Sequence, residues 1–281
     1  MNTKAKIRLI AMDMDGTLLN DEKRISDRTA KTLKRAAQKG IHIAICSGRL
    51  CGDSGLFALD AGLENCYILS LNGAYCLNKP NGKPYASYTL AKETQVQCLE
   101  VLSRYDVTYG CFWENHMLAV ESSKRTEKRG WGTHRNRPGA PDYFRAVDLP
   151  ESALQQSFAK IVYVEEHDLS RIEKIREDLQ PIQGLDITSS WDNNLELMPS
   201  GICKGRAIEE LAGRLGISAE NVMAFGDYDN DLSMIEYAGY GIAMENGSDA
   251  VKQAAGHVTL SNQADGVAEA IERFVLQDEA L

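Results

Sequence analysis

Short apolar runs that stop at polar turns, each followed by a segment of helical periodicity, recur at both ends of this chain and favour a layered α/β architecture. Residues 7–12 (Ile-Arg-Leu-Ile-Ala-Met) end at Asp13-Met14-Asp15-Gly16-Thr17, as a parallel strand buried on both faces would. Ser26 can N-cap the next helix, Ala30, Leu33 and Ala37 recur at helical spacing, and Gly40 ends it before a second apolar run at 41–46. That is one βαβ unit. The alternation returns late in the chain: a helix at 204–215 closed by Gly216, a strand at 222–225, a helix at 230–238, a strand at 240–244, and helices at 248–255 and 264–276.

Between these ends the texture changes. Alternating, aromatic-bearing strand candidates at 108–113, 116–120, 160–164 and 186–190 are interleaved with polar helices at 92–104 and 168–179, the pattern of an α+β unit with one solvated sheet face. The expected fold is therefore a doubly wound, Rossmann-like parallel sheet, residues 1–84 and 196–281, carrying an inserted α+β cap at 85–195. The turn-rich segments 78–84 and 198–201 are the candidate hinges. A chain of 281 residues is long enough for two such cores.

Charge and cysteine usage restrict the partners. A formal net charge of −9 repels polyanions, so no nucleic-acid or anionic-membrane partner is expected, and a small anionic substrate would need a cation in its site. Seven cysteines without a CxxC pair fit neither a disulfide framework nor a zinc site, and point to a reducing, cytoplasmic setting. No stretch approaches the roughly 18 apolar residues of a membrane span. The apolar run before Asp13 is too short for a signal peptide. Oligomeric state is not legible.

Four groups of residues can carry chemistry. Asp13 and Asp15 stand at i and i+2 where the first strand ends, so both carboxylates project the same way into the crevice at the carboxyl end of the sheet. Two adjacent carboxylates repel, and a hard cation such as Mg²⁺ relieves them. Gly226-Asp227-Tyr228-Asp229-Asn230-Asp231 again follows an apolar strand and can supply further metal ligands. A calcium-loop reading fails, because Leu232 stands where that loop needs Gly and Ala238 where it needs Glu. Ser47-Gly48-Arg49 offers a hydroxyl and unhindered amides to a phosphate, and Lys204 opens a helix as a cation for phosphate oxygens.

In this order and setting, Asp13–Leu18, Ser47–Arg49, Lys204 and Gly226–Asp231 resemble the DxDGT(L), [ST]GR, K and GDxxND motifs of haloacid dehalogenase-like phosphatases, closest to the capped Cof-type branch (subclass IIB). Asn72-Gly73-Ala74 and Gly241–Met244 resemble secondary signatures of that family, so the resemblance spans nearly the whole chain. Ser47, Cys203 and Glu245 depart from its commonest residues without touching a catalytic carboxylate. The resemblance implies a phosphatase acting on a small phosphorylated metabolite, such as a sugar phosphate, through a phospho-aspartate on Asp13. It implies Mg²⁺ held by Asp13, the backbone carbonyl of Asp15 and Asp227, with Asp15 as acid and base. Ser47, Lys204, Asn230 and the amides of Met14 and Gly48 would hold the transferring oxygens. Asp231 would orient Lys204 or the metal's water shell. A phosphotransferase or mutase using the same intermediate, and a non-catalytic phosphate sensor, are the alternatives.

Within the insertion, Trp113, His116 and Arg145 are the candidates for reading the leaving group, as an aromatic platform with polar groups. The basic stretch Lys124, Arg125, Lys128, Arg129, Arg135 and Arg137 suits a solvated helix face or a pole for a second anionic group. Gly52-Asp53-Ser54-Gly55 resembles a serine-protease nucleophile segment, but no acid lies between it and His42 at the required spacing, so the match is a coincidence.

Overall fold

The computed structural model describes residues 7–105, 107–121, 137–147, 149, 151–165 and 168–277. The chain begins with β1 (Leu9–Met12), α1 (Asp27–Gln38), β2 (His42–Cys46), α2 (Cys51–Asp60), β3 (Tyr67–Ser70), β4 (Tyr75–Leu77) and β5 (Pro84–Ser87). It continues through α3 (Lys92–Ser103), β6 (Tyr109–Trp113), β7 (His116–Val120), β8 (Asp142–Ala146), α4 (Glu151–Leu154), β9 (Lys160–Val164), α5 (Ser170–Leu179), β10 (Leu185–Thr188) and β11 (Asn194–Pro199). It closes with α6 (Lys204–Leu215), β12 (Val222–Gly226), α7 (Leu232–Tyr237), β13 (Tyr240–Ala243), α8 (Asp249–Ala254), β14 (His257–Val258) and α9 (Gly266–Phe274).

Two sheets result. The core sheet runs β14-β13-β12-β1-β2-β3-β4-β5, parallel from β14 to β3 and antiparallel across the β3-β4-β5 meander. Met12 stands opposite both Phe225 and Ile45, so β12, β1 and β2 end at one level and deliver their following residues to one crevice. Along β1 the side chains alternate faces. Ile10 and Met12 enter the core under α1 and α9, whereas Leu9 and Ala11 enter the one under α6 and α7. Burying each such Ile, Leu or Met contributes roughly 1.5–3 kcal/mol.

Local signals explain the helices that frame the site. Ser26 Oγ accepts the amide of Thr29 to cap α1, whose buried stripe is Thr29, Thr32, Leu33 and Ala36, leaving the expected Ala37 exposed. Gly216, at φ 63°, ends α6 in the left-handed conformation. Helix α2 begins at Cys51, with one residue between it and Ser47-Gly48-Arg49, and contains the Gly-Asp-Ser-Gly segment, whose role here is structural packing.

The inserted sheet runs β10-β11-β9-β6-β7-β8. Helices α3 and α5 cover one face through Leu99, Leu102, Ile172 and Ile175. The other face is not solvated, contrary to expectation. Phe112, Met117, Ala119, Val162, Val164 and Met198 pack there against Leu50, Leu71 and Ala74 of the core. The expected boundaries at 84/85 and 195/196 fall inside β5 and β11, and the sheets change instead across 88–91 and 200–203. The 78–84 turn is the β4–β5 hairpin loop and not a crossing. Among the described residues no helix is long and apolar enough to cross a membrane. Of the basic stretch, Lys124, Arg125, Lys128, Arg129 and Arg135 lie outside the described residues; Arg137 pairs with Asp60 on α2 at 2.7 and 2.8 Å.

Candidate active site

At the end of β1 the Asp13 amide donates to Phe225 O (3.0 Å), which locks the acidic turn to β12. Lys204, the first residue of α6 and only 1 % exposed, donates to Asp13 Oδ1 at 2.5 Å and to Asp231 Oδ1 at 2.6 Å. Asp231 Oδ2 accepts the amides of Asp227 (2.8 Å) and Tyr228 (3.2 Å), so both its oxygens are engaged in holding the turn and the lysine. Thr17 Oγ1 donates to Asp227 Oδ1 at 2.7 Å and joins the first and last motifs directly. Gly16, at φ +79°, is required here: a Cβ on it would lie 2.3 Å from Asp227 Oδ2.

Asp13, Asp227 and Asp231 each bring an oxygen within 4.8 Å of the others. Three carboxylates therefore face one ammonium, an excess of two negative charges in a buried site. Burial, followed by repulsion from Asp231, pushes the Asp227 carboxyl up to about 7. Burial likewise raises Asp13 well above the carboxylate range although Lys204 opposes it. Burial works against the Lys204 ammonium too, but Asp13 and Asp231 outweigh it and hold the lysine charged. An all-oxygen donor set with this charge excess fits a hard divalent cation such as Mg²⁺.

Asp15 has a different environment. Its carboxylate is clasped by Arg49 Nε at 2.6 Å and Arg49 Nη2 at 2.8 Å, with Lys23 Nζ at 3.1 Å. Burial would raise its pKa, but the bonds and charge of Arg49, aided by Lys23, hold it below the usual value. Its side chain is thus not among the clustered carboxylates. Ser47 Oγ accepts the Arg49 amide (3.2 Å), and the buried Met14 side chain anchors the acidic turn, whose carbonyl accepts Leu19 N at 2.8 Å. Leu71, Asn72 and Gly73 all have positive φ (52°, 55° and 95°), a strained loop that aims Asn72 at the crevice. Asn72 N donates to Ser47 O (3.0 Å), and its Oδ1 accepts Asn230 Nδ2 at 3.5 Å.

Asp13, Asp15, Ser47, Gly48, Asp227 and Asn230 line one cavity of about 630 Å³ between the two sheets. Its other wall is Phe112, Tyr143, Val162, Val164 and Trp191, with Lys160, Ser190, Asn194 and Glu196. The three expected leaving-group readers are not in that wall. Trp113 and His116 lie on the opposite, helix-covered face, Trp113 packing against Phe158 and stacking on Phe144. Arg145 pairs with Glu121 at 2.6 Å. The period-two pleat explains the miss for Trp113 and His116, since Phe112 and Trp113 must face opposite ways, whereas Arg145 shares the face of Tyr143 and is drawn off by Glu121. A charged residue inside an apolar strand, Lys160 in Lys-Ile-Val-Tyr-Val and Glu196 in Asn-Leu-Glu-Leu-Met-Pro, was the sequence signal for the wall actually used.

Residues 10–271 match the family model for haloacid dehalogenase-like hydrolases. The chain belongs to that family. Its relatives include the 5-amino-6-(5-phospho-D-ribitylamino)uracil phosphatase YcsE of Bacillus subtilis, 32 % identical with 96 % of each chain covered. A haloacid dehalogenase-like hydrolase from Bacteroides thetaiotaomicron superposes with a TM-score of 0.78 at 30 % identity, covering 95 % of this chain and 99 % of that one. A subclass IIB sugar phosphatase of the same superfamily superposes with a TM-score of 0.79 at 24 % identity, covering 95 % and 98 %. Like its phosphatase relatives in the haloacid dehalogenase-like family, the chain is a phosphoric monoester hydrolase. Phosphatases of this family generally use Mg²⁺, in keeping with the carboxylate cluster.

Proposed function

We propose that this phosphatase moves the phosphoryl group of a small, ring-bearing metabolite to Asp13 and then to water. The carrying observation is the meeting of Asp13, Lys204 and Asp227 at the carboxyl ends of β1 and β12, beside an aromatic-walled cavity. Lys204 holds Asp13 Oδ1, and Oδ2 attacks phosphorus in line as the P–O bond to the leaving group breaks. The leaving oxygen takes a proton from Asp15. Water then attacks the phospho-aspartate, Asp15 accepts its proton, and inorganic phosphate departs with Asp13 restored. Asp15 must leave Arg49 for this, because the clasp favours its ionised form and an acid needs the proton. Ser47, Asn230 and the amides of Met14 and Gly48 hold the non-bridging oxygens, and Asp231 keeps Lys204 aimed. Asp13, Asp227 and the Asp15 carbonyl would hold Mg²⁺, which would neutralise the charge that carboxylate and phosphate bring together.

The inserted sheet acts as a cap. A wall of Phe112, Tyr143 and Trp191 beside Ser190, Asn193 and Asn194 suits a planar ring joined to a hydroxylated chain better than a bare sugar phosphate. The relative YcsE is named for a uracil bearing a phosphoribityl chain, which has both parts. A small-molecule role without nucleic acid or membrane agrees with the −9 charge, and the scattered cysteines agree with a cytoplasmic setting. The test is turnover over phosphates with and without a planar ring, using parent, Asp13→Asn and Asp15→Asn proteins. Asp13→Asn should be inactive but folded, and Asp15→Asn should lose turnover and accumulate phosphorylated enzyme only from a phosphate whose leaving group departs without a proton, such as acetyl phosphate. Undiminished hydrolysis by Asp13→Asn would sink the mechanism, and equal turnover of ring-free substrates would sink the substrate class.

A further inference from the structure

Lys160 and Glu196 are diagonal neighbours on β9 and β11, Glu196 standing opposite Val162, with side chains 3 % and 5 % exposed and Nζ 3.4 Å from Oε2. Nothing in the packing of the inserted sheet calls for them, since the neighbouring inward positions on those strands are Val162, Val164 and Met198. Burying two charges costs several kcal/mol per ion before their attraction is counted, so the pair is a poor choice for stability alone. Its contacts point outward to the core. Lys160 Nζ donates to Gly48 O at 2.7 Å, and Glu196 Oε2 accepts from Asn72 Nδ2. Ser190 Oγ and Asn194 Nδ2 (3.3 Å) hold the other carboxylate oxygen. A Cβ placed on Gly48 would sit 3.1 Å from Asn72 Oδ1, 3.2 Å from Lys160 Nζ and 3.6 Å from Glu196 Oε1, so all three converge on that glycine.

From this convergence we infer that Lys160 and Glu196 are positioning residues for the phosphoryl-binding loop, carried by the inserted sheet. The inference rests on the reading of Ser47, Gly48 and Asn230 as the phosphoryl site. A bare Gly48 carbonyl would repel an anionic phosphoryl group. Lys160 caps that carbonyl and fixes the plane of the peptide, while Glu196 fixes Asn72, which in turn meets Ser47 O and Asn230. The loop therefore takes its working geometry only when the inserted sheet is seated, which couples closure to chemistry and not to leaving-group recognition alone.

The experiment compares parent, Lys160→Met/Glu196→Leu, Lys160→Arg and Trp191→Ala proteins. The readouts are melting temperature, kcat/KM for a ring-bearing substrate and for ring-free acetyl phosphate, and the inhibition constant of orthovanadate, which probes the phosphoryl site without a leaving group. Replacing both members removes two buried charges together but takes a partner from the Gly48 carbonyl and from Asn72 Nδ2, so the double variant should melt below the parent. Assayed at a temperature where it is folded, it should lose about 100-fold in kcat/KM on both substrates, the cost of a displacement of order 1 Å. Its vanadate inhibition constant should rise at least tenfold. Lys160→Arg keeps the charge paired, and with it the fold, but its planar head displaces the Gly48 carbonyl; an intermediate loss is expected. Trp191→Ala should lower kcat/KM more for the ring-bearing substrate than for acetyl phosphate, the reverse of the even loss expected of the double variant. Parent-like vanadate inhibition in the double variant, or in Lys160→Arg should the double variant not fold, overturns the inference. If Asp13→Asn is inactive while the double variant is normal, only this inference fails; an active Asp13→Asn removes the site reading beneath it.

Discussion

Gly16 and Gly40 have nearly the same positive φ, +79° and +81°, and differ in what surrounds them. Nothing lies within 4 Å of a Cβ on Gly40, whereas one on Gly16 would meet Asp227 Oδ2 at 2.3 Å and Cγ at 2.8 Å. Alanine at Gly40 therefore incurs only the left-handed strain, about 1–2 kcal/mol. For a chain of this size that lowers the melting temperature by roughly 2–8 °C with turnover unchanged. Gly16→Ala carries the same strain and must also drive the Asp227 carboxylate about 1 Å away, which is worth about 100-fold in rate. Matched melts and Mg²⁺ titrations of activity separate the two effects: both variants lose similar stability, but Gly16→Ala alone loses turnover and needs more Mg²⁺. If Gly16→Ala matched Gly40→Ala in kcat and in half-saturating Mg²⁺, the placement of Asp227 by this turn would not be what the glycine protects.

Lys204→Met leaves Asp13 and Asp231 buried and unneutralised, so it should cost about 3–5 kcal/mol in denaturant unfolding and abolish turnover; a variant as stable as the parent would contradict the burial of that triad. The Asp227 carboxyl titrates near 7 when folded, against 3.8 as an ordinary carboxyl. The folded state thus binds its proton more tightly, and the stability this contributes is complete below about pH 4 and lost as the pH rises to about 7. In chelator-treated protein the melting temperature relative to Asp227→Asn should fall over that window, and Mg²⁺ should remove the fall; a flat difference refutes the assignment. Tyr143→Phe breaks its 2.6 Å bond to Asp53 at the cavity wall and should raise KM for the ring-bearing substrate several-fold while leaving vanadate inhibition alone.

The residues whose placement follows from chain-local geometry were legible in the sequence. Asp13, Ser47 and Asp227 each follow a short apolar run, and the β12-β1-β2 register brings those three ends level without long-range information beyond the βαβ rule. Lys204 was legible as a helix start, though its burial between two carboxylates was not. The inserted sheet was less readable because both its faces are covered, so apolar content could not tell the helix side from the cavity side. Strands β8 and β11 were absent from the expectation: β8 is largely exposed, and β11 follows a turn-rich segment and merges into the approach to Lys204. Arg49 belonged to a recognised motif, but its hold on Asp15 spans 34 positions and leaves no local trace.

Four residues, Ser200–Cys203, join the strand that carries Glu196 to the helix that begins with Lys204. They have little slack: Gly201 sits at φ +77°, and Ser200 Oγ and Gly201 N are pinned to Asp186 at 2.9 and 2.7 Å. Residues 196 and 204 therefore lie on one short tether, and its length is a dimension of the machine. Adding two residues after Gly201 would let the inserted sheet rest in place while freeing α6 from its register, whereas two residues added in the exposed hairpin loop after Gly82 would change no spacing between sheets. A library of chimaeras exchanging inserted sheets among relatives should accordingly tolerate length variation at the hairpin and select strictly for four residues at the return crossing.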